Sequence, residues 1–264
     1  SPTERMKWAE GLDVPTIDDV PEPEVLWWVG CAPATDARAQ KTARAFAQIL
    51  NSAGVIYAVL GEMEQCTGDS ARRAGKEDLF FGLAQTNVEI LNEVKPKRIV
   101  TTCPHCLHTL KNEYPAFGGI FTVIHHTELI DELVKNGQLR LKPHEAATIT
   151  YHDPCYLGRA NDIYDEPRML LGKLSGRVIE MERNRSFALC CGAGGAQMFK
   201  EAEKGDKEVF IERTEEAIKT GADIICTACP FCMVMMTDGI KYKNKEEEIK
   251  NYDRAELVSK SLGL

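Results

Sequence analysis

Ala188-Leu189-Cys190-Cys191-Gly192-Ala193-Gly194-Gly195 is the stretch on which the reading of this chain turns. Packing alone does not account for two adjacent cysteines that run into a glycine-rich turn. Their side chains leave the backbone in different directions, and the glycines let that backbone come close to something bulky. Upstream lies His152-Asp153-Pro154-Cys155-Tyr156, and downstream lies Cys226-Thr227-Ala228-Cys229-Pro230-Phe231-Cys232. A fold that joins these three stretches brings five or six thiols to one place.

The first half holds a weaker copy of the pattern. Cys31 matches Cys155, 124 residues on; Gln65-Cys66 matches Cys190-Cys191, 125 on; Cys103 and Cys106 match Cys229 and Cys232, 126 on. A near-constant offset across three separate motifs is the mark of an internal duplication. It divides the chain into residues 1–23, an arm or linker with four prolines; residues 24–140, a degenerate first repeat; and residues 141–264, a complete second repeat.

Strands and helices alternate in both halves. Val25-Leu26-Trp27-Trp28-Val29 is a short apolar run that reads as a buried strand. Ala37 to Leu50 has helical spacing of its apolar residues, and 55–60 is the next strand. A helix follows over about 79–94, then strands at 98–101 and 122–125 and a helix whose cap is read as Thr127. The second half repeats this with strands at 147–151, 177–181 and 222–225. Its helices fall at about 207–219, from Met233 onward, and over 254–262. This order predicts an α/β fold of two pseudo-symmetric lobes with mainly parallel sheets. Each cysteine group falls at the C-terminal end of a strand, where open α/β sheets place their sites.

Composition narrows the function. The net charge of −8 and the lack of a lysine–arginine cluster argue against nucleic acid as a partner. No apolar run reaches the length of a membrane span. Ten cysteines in 264 residues, several adjacent or in C-x-x-C spacing, are unlike a small secreted disulfide scaffold and favour metal or redox chemistry. Buried free thiols and a thioredoxin-type C-x-x-C are the alternatives. Cys155, Cys190, Cys191, Cys229 and Cys232 exceed the four ligands of zinc, whereas thiolates are the usual ligands of iron–sulfur clusters. In the first half Gln65 stands where the pair's first cysteine is expected. Cys31, Cys66, Cys103 and Cys106 remain, a set that suits either a [4Fe-4S] cluster or a tetrahedral zinc. Cys226 has no counterpart, because Val100 holds that position; it reads as a small buried strand residue or an extra thiol near the site.

The doubled motif resembles the cysteine-rich CCG domain family, which includes heterodisulfide reductase B and D subunits and the iron–sulfur subunits of glycolate and lactate oxidation systems. In the second repeat 34 residues separate Cys155 from Cys190-Cys191-Gly192, and 37 separate Cys191 from Cys229-Pro230-Phe231-Cys232. The resemblance implies a non-cubane [4Fe-4S] cluster held by Cys155, Cys190, Cys191, Cys229 and Cys232, which would also be the catalytic residues. It implies an oxidoreductase of heterodisulfide reductase type. Its electron partner would be a ferredoxin-like iron–sulfur domain or a flavoprotein, and a membrane quinone-reactive domain would belong to the full-length protein. A non-catalytic subunit wiring a flavin dehydrogenase to quinone is the alternative, and a zinc-stabilised interaction domain a third. The opening Ser1-Pro2-Thr3 reads as the middle of a longer chain, cytoplasmic or attached to the cytoplasmic side of a membrane through upstream segments.

Other residues near the cysteines are weighed against plainer roles. His125-His126 and His152-Asp153 could bond cluster sulfur or deliver protons, or simply cap loops. His105 sits inside a C-x-x-C where the other half has Phe231. Arg72, Arg73 and Arg159 could attract an anion or lie on solvated faces. Gly192-Ala193-Gly194-Gly195 lacks the strand, helix and acidic residue of a dinucleotide-binding loop.

Overall fold

Val25-Leu26-Trp27-Trp28 is buried at every position because its strand lies inside a parallel sheet, covered on both faces. In the computed structural model, which describes residues 4–142, 147–202 and 204–264, the chain forms two compact units that divide between Leu139 and Arg140. The opening Ser1-Pro2-Thr3 lies outside the described residues.

The first unit holds strands β1 (Val25–Trp28), β2 (Tyr57–Val59), β3 (Ile99–Thr101) and β4 (Val123–His125) in the order β2-β1-β3-β4. All neighbours are parallel, with Leu26 opposite Ala58 on one side and Ile99 on the other. The second unit holds β5 (Thr148–Tyr151), β6 (Arg177–Val178), β7 (Ile224–Thr227) and β8 (Lys250–Asp253) in the matching order β6-β5-β7-β8, again parallel. The α/β reading with parallel sheets therefore holds in both lobes. In this order the chain leaves the first strand toward one edge and returns to build the other. The reversal point lies between β1 and β3, and between β5 and β7. Open α/β sheets bind ligands at the carboxyl end of such a point.

Three features depart from the sequence reading. Residues 4–23 are not a free arm: Trp8 is buried against Trp27, with ring centroids 5.1 Å apart, and Thr16 bridges to Val59 at the edge of the sheet. Strand β8 is polar, and its pattern does not announce a strand; it is an edge strand with Lys250 exposed, a composition that discourages further pairing. The helix His126–Lys135 is capped earlier than Thr127, at His125, whose backbone N–H donates to Glu128 Oε2 at 2.7 Å.

In the second unit the helices Val209–Lys219 and Pro230–Tyr242 pack closely. Gly239 makes this approach possible, since a Cβ there would stand 2.0 Å from Thr214 Oγ1. The same approach carries the neighbouring Arg213 into the interior, fully buried. No helix among the described residues is long and apolar enough to cross a membrane.

Candidate functional site

The site thiols lie on the loops that follow the first three strands of each unit, β1–β3 and β5–β7. In the second unit Cys155 follows β5, Cys190 and Cys191 lie on the loop after β6, and Cys229 and Cys232 follow β7. Cys229 caps the helix Pro230–Tyr242, with Pro230 at its first position, where a missing N–H costs nothing. The helix therefore starts at Pro230, earlier than the Met233 read from the sequence, and its positive end faces the thiols.

These five sulfurs form one connected set. Cys191, Cys229 and Cys232 cluster with Cys190 packed against them, and thiol–thiol interactions couple Cys155 to Cys190, Cys190 to Cys191, Cys191 to Cys232, and Cys232 to Cys229. Cys190 is the acceptor of the set. Bonds from the Cys155 and Cys191 thiols hold it far below the ordinary thiol range, and the Gly192 N–H adds to this at 3.3 Å. The donors Cys155, Cys191 and Cys232 are pushed up in turn, first by the thiols they donate to and then by burial, with Cys232 opposing the rise at Cys191. Crowded thiols cannot all ionise in a buried site unless a cation compensates, so the donor set suits a metal or metal–sulfur group. Gly192 adopts φ +91°, which favours glycine and aims its N–H back at Cys190. Cys191, Cys229 and Cys232 are buried, while Cys155 and Cys190 are half-buried. A cavity begins at Gly192, where Met198, Phe210 and Met235 line it together with charged residues such as Lys204, Asp206, Lys207 and Glu215.

His152 completes the surroundings. One of its ring nitrogens and the Sγ atoms of Cys191 and Cys232 lie within 4.8 Å of one another, all buried. Arg213 Nε donates to His152 Nδ1 at 2.9 Å. Burial and then the Arg213 charge pull the imidazole down to about 3. Asp153 is engaged by arginines. It accepts a bidentate pair from Arg168 at 2.7 Å each and the Arg185 N–H at 2.8 Å, which ties the β5 loop to the loop after β6.

The first unit repeats this geometry with one change. Cys31 donates to Cys66, and this bond draws Cys66 down to about 6 against the effect of burial. Gly68 N–H points at Cys66 Sγ at 3.4 Å, as Gly192 N–H points at Cys190. Thr67 Oγ1 donates to Cys106 Sγ at 3.8 Å, where Cys191 meets Cys232. Cys103 and Cys106 are hydrogen-bonded to each other. The equivalence is therefore Cys66-Thr67-Gly68 with Cys190-Cys191-Gly192, an offset of 124. This corrects the register read from the sequence by one residue: Thr67, not Gln65, stands at the place of a lost cysteine. Gly30 lies close enough that a Cβ would meet Cys106 Sγ at 3.7 Å.

A buried carboxylate, Glu64, went unread in the sequence. It accepts from the Val29 and Gly30 N–H groups at 2.8 and 2.7 Å and from Arg5 at 3.2 Å. Burial raises it to about 7 despite these donors. Its only sequence signal is an acid two residues before a site cysteine.

The remaining candidates have structural partners. His105 Nδ1 bonds Asp69 at 2.8 Å; Asp69 also accepts from Arg73, which with Arg72 engages Glu113. Arg159 donates to the Ala188 carbonyl at 2.7 Å and braces the loop that carries Cys190. His125 bonds Thr127, and His126 packs on Phe46. Cys226 is sealed inside β7 opposite Tyr151 and Tyr252, with its thiol raised by burial and then by Asp253.

The cysteine-rich CCG domain matches residues 25–111 and again residues 149–237. The chain belongs to this CCG family. It is 44% identical over 267 residues to the probable iron-sulfur-binding oxidoreductase FadF of Bacillus subtilis, covering 98% of this chain and 38% of that protein. It is 41% identical over 251 residues to the EtfAB:quinone oxidoreductase of Syntrophomonas wolfei, covering 93% and 35%. It is 33% identical over 272 residues to the D subunit of the dihydromethanophenazine:CoB–CoM heterodisulfide reductase of Methanosarcina barkeri, covering 99% and 63%. The CCG repeats thus span well under two thirds of the first two relatives and just under two thirds of the third.

Proposed function

We propose that this chain is an iron–sulfur redox module of the heterodisulfide reductase type. Its repeats are residues 24–140 and 141–264, and its redox-active site is in the second. Cys155, Cys190, Cys191, Cys229 and Cys232 hold a non-cubane [4Fe-4S] cluster there. Cys31, Cys66, Cys103 and Cys106 hold a second [4Fe-4S] cluster or a zinc ion. A bound cluster supplies one-electron exchange. The connected set of five thiols at the β5/β7 reversal point carries this reading, because five sulfurs exceed a tetrahedral zinc site. The chain's own residues hold the sulfurs in place. Gly192 brings an N–H to Cys190, Arg159 braces the loop, and Asp153 ties two of the thiol loops together. Cys155 and Cys190 are only half-buried, which favours a site that a substrate sulfur can reach over one sealed from it.

The second reading is an electron-transfer module that joins a flavoprotein to a quinone-reactive domain; the name of the Syntrophomonas relative favours it. In either case the electron partner is a ferredoxin-like iron–sulfur domain or a flavoprotein, and the full-length protein is cytoplasmic or attached to the cytoplasmic side of a membrane.

Anaerobic purification with iron, acid-labile sulfide and zinc measured together tests the proposal, alongside paramagnetic resonance of the oxidised protein. Iron in both units with a paramagnetic oxidised signal is the expected result. Iron with zinc confines redox work to the second unit. Zinc alone sinks the redox reading and leaves an interaction domain. In Cys191→Ser the oxidised signal should disappear; its persistence unchanged would refute the five-ligand assignment.

A further inference from the structure

His152 is fully buried at the end of β5, three residues before Cys155, and its two ring nitrogens have different fates. Nδ1 receives the Arg213 Nε–H at 2.9 Å. Arginine donates and never accepts. Nδ1 is therefore the lone-pair nitrogen, and the ring proton sits on Nε2. That N–H is buried and has no partner. A buried donor without an acceptor costs about 1–3 kcal/mol, and folded proteins rarely leave one. The orphan sits in the imidazole that lies within 4.8 Å of Cys191 and Cys232 Sγ.

The same arrangement rules on the alternative that His152 is itself a ligand. Metal-ligating histidines donate their second ring N–H to a carboxylate, carbonyl or water, which raises the basicity of the ligating nitrogen. Here the second nitrogen faces a cation instead. Arg213 is fixed in that role by the Arg183 carbonyl at 2.8 Å and Glu216 at 2.9 Å, and by the close helix packing at Gly239.

We infer that His152 is a hydrogen-bond donor to the sulfur of the second-unit cluster, locked in its Nε2–H tautomer by Arg213, and that it raises the cluster's reduction potential. This rests on the cluster reading above. Reduction adds negative charge to the cluster, and a donor aimed at its sulfur stabilises the reduced form more than the oxidised one. The aligned position in the first unit is Trp28, whose buried indole N–H also lacks a partner.

The test is a redox titration, followed by paramagnetic resonance, of the full chain purified without oxygen. The variants are His152→Leu, which removes the donor, and His152→Gln, which keeps an N–H. His152→Leu should retain iron and sulfide yet lower the second-unit midpoint by about tenfold in the one-electron equilibrium, ~59 mV. His152→Gln should recover part of that shift. In the wild type, an exchangeable proton coupled to the cluster should vanish when water is replaced by deuterium oxide; this measurement needs no variant to fold. An unchanged midpoint in His152→Leu overturns the inference, and so does a missing exchangeable proton in the wild type. Loss of iron in both variants, with a strongly coupled histidine nitrogen in the wild type, makes His152 a ligand and also overturns it. A wild-type second unit without iron and sulfide defeats the cluster reading itself, a result separate from all of these.

Discussion

Thr67 and Cys191 occupy the same place in two copies of one scaffold. Each follows the cysteine that accepts a glycine N–H, and each meets the second cysteine of the C-x-x-C. The backbone geometry tolerates either side chain, so the scaffold does not set the ligand count. The chemistry depends on the difference: a thiol ionises and binds soft metals, and a threonine hydroxyl does neither. The two units also clasp their thiol loops from opposite directions. In the first, Glu64 on the loop after β2 reaches the N–H groups at the end of β1. In the second, Asp153 on the loop after β5 receives the N–H of Arg185 on the loop after β6. One buried carboxylate with one arginine does the same work in both, although the residues are not aligned.

Exchanging the differing residue should produce the largest effect. Cys191→Thr gives the second unit the first unit's ligand set and should cost the chain the paramagnetic signal assigned to that site. Thr67→Cys supplies the first unit with a fifth thiol and should bring its spectrum toward that of the second. Iron and sulfide analysis with resonance spectra checks both. Spectra that do not respond to either exchange would mean that the count of thiols is not what separates the sites.

The clasp ranks next. Arg168 is paired to Asp153 by two bonds of 2.7 Å and to Glu180 at 2.6 Å, with Asp153 almost wholly buried. Arg168→Met leaves that carboxylate uncompensated and should destabilise the second unit by about 3–5 kcal/mol, the range for breaking a buried pair. The first unit's melting should be unaffected. Denaturant unfolding followed separately in each unit reads this out, and loss confined to the first unit would contradict it.

A smaller effect is expected from the matched glycines. Both hold positive φ, +86° at Gly68 and +91° at Gly192, so alanine at either costs about 1–2 kcal/mol. The surroundings differ. A Cβ on Gly68 would lie 2.9 Å from Phe80 Cδ2 and 3.4 Å from its Cα, whereas on Gly192 the nearest atoms are at 3.4 Å. Gly68→Ala should therefore lower the melting temperature more than Gly192→Ala. The reverse order would show that the second loop is the more tightly held.

The sheets and the doubled thiol motif were legible because their signals are local. Val25 to Val29 is apolar at every position, and C-x-x-C spacing repeats whatever lies between. Strand β8 was not, since its Lys250 and Asn251 belong to an edge that water can reach. The Thr67 equivalence escapes the cysteine pattern for a different reason. Matching cysteines alone allows Cys66 against Cys190 or Cys191; the following glycine, Gly68 against Gly192 at the 124-residue offset of Cys31 and Cys155, decides for Cys190, and the glycine N–H bonds to sulfur show it in the structure. Glu64 and Arg213 are charged residues drawn inside by partners 34 to 61 positions away, which no local pattern records.

Cys226 gives the smallest expected change and the sharpest check on which thiols belong to the site. Of the ten cysteines it is the one outside the two site sets, it is fully buried, and its first-unit counterpart is Val100. Its Sγ contacts the Thr227 carbonyl at 3.7 Å, and the charges that act on it are Asp253, Arg254 and Glu256, not the other thiols. Valine has a similar volume and suits a central strand, so Cys226→Val should change stability by less than about 1.5 kcal/mol. Iron, sulfide and the resonance spectrum should be those of the wild type. A loss of iron in this variant would move Cys226 into the ligand set, and the second site would then differ from the first by two thiols instead of one.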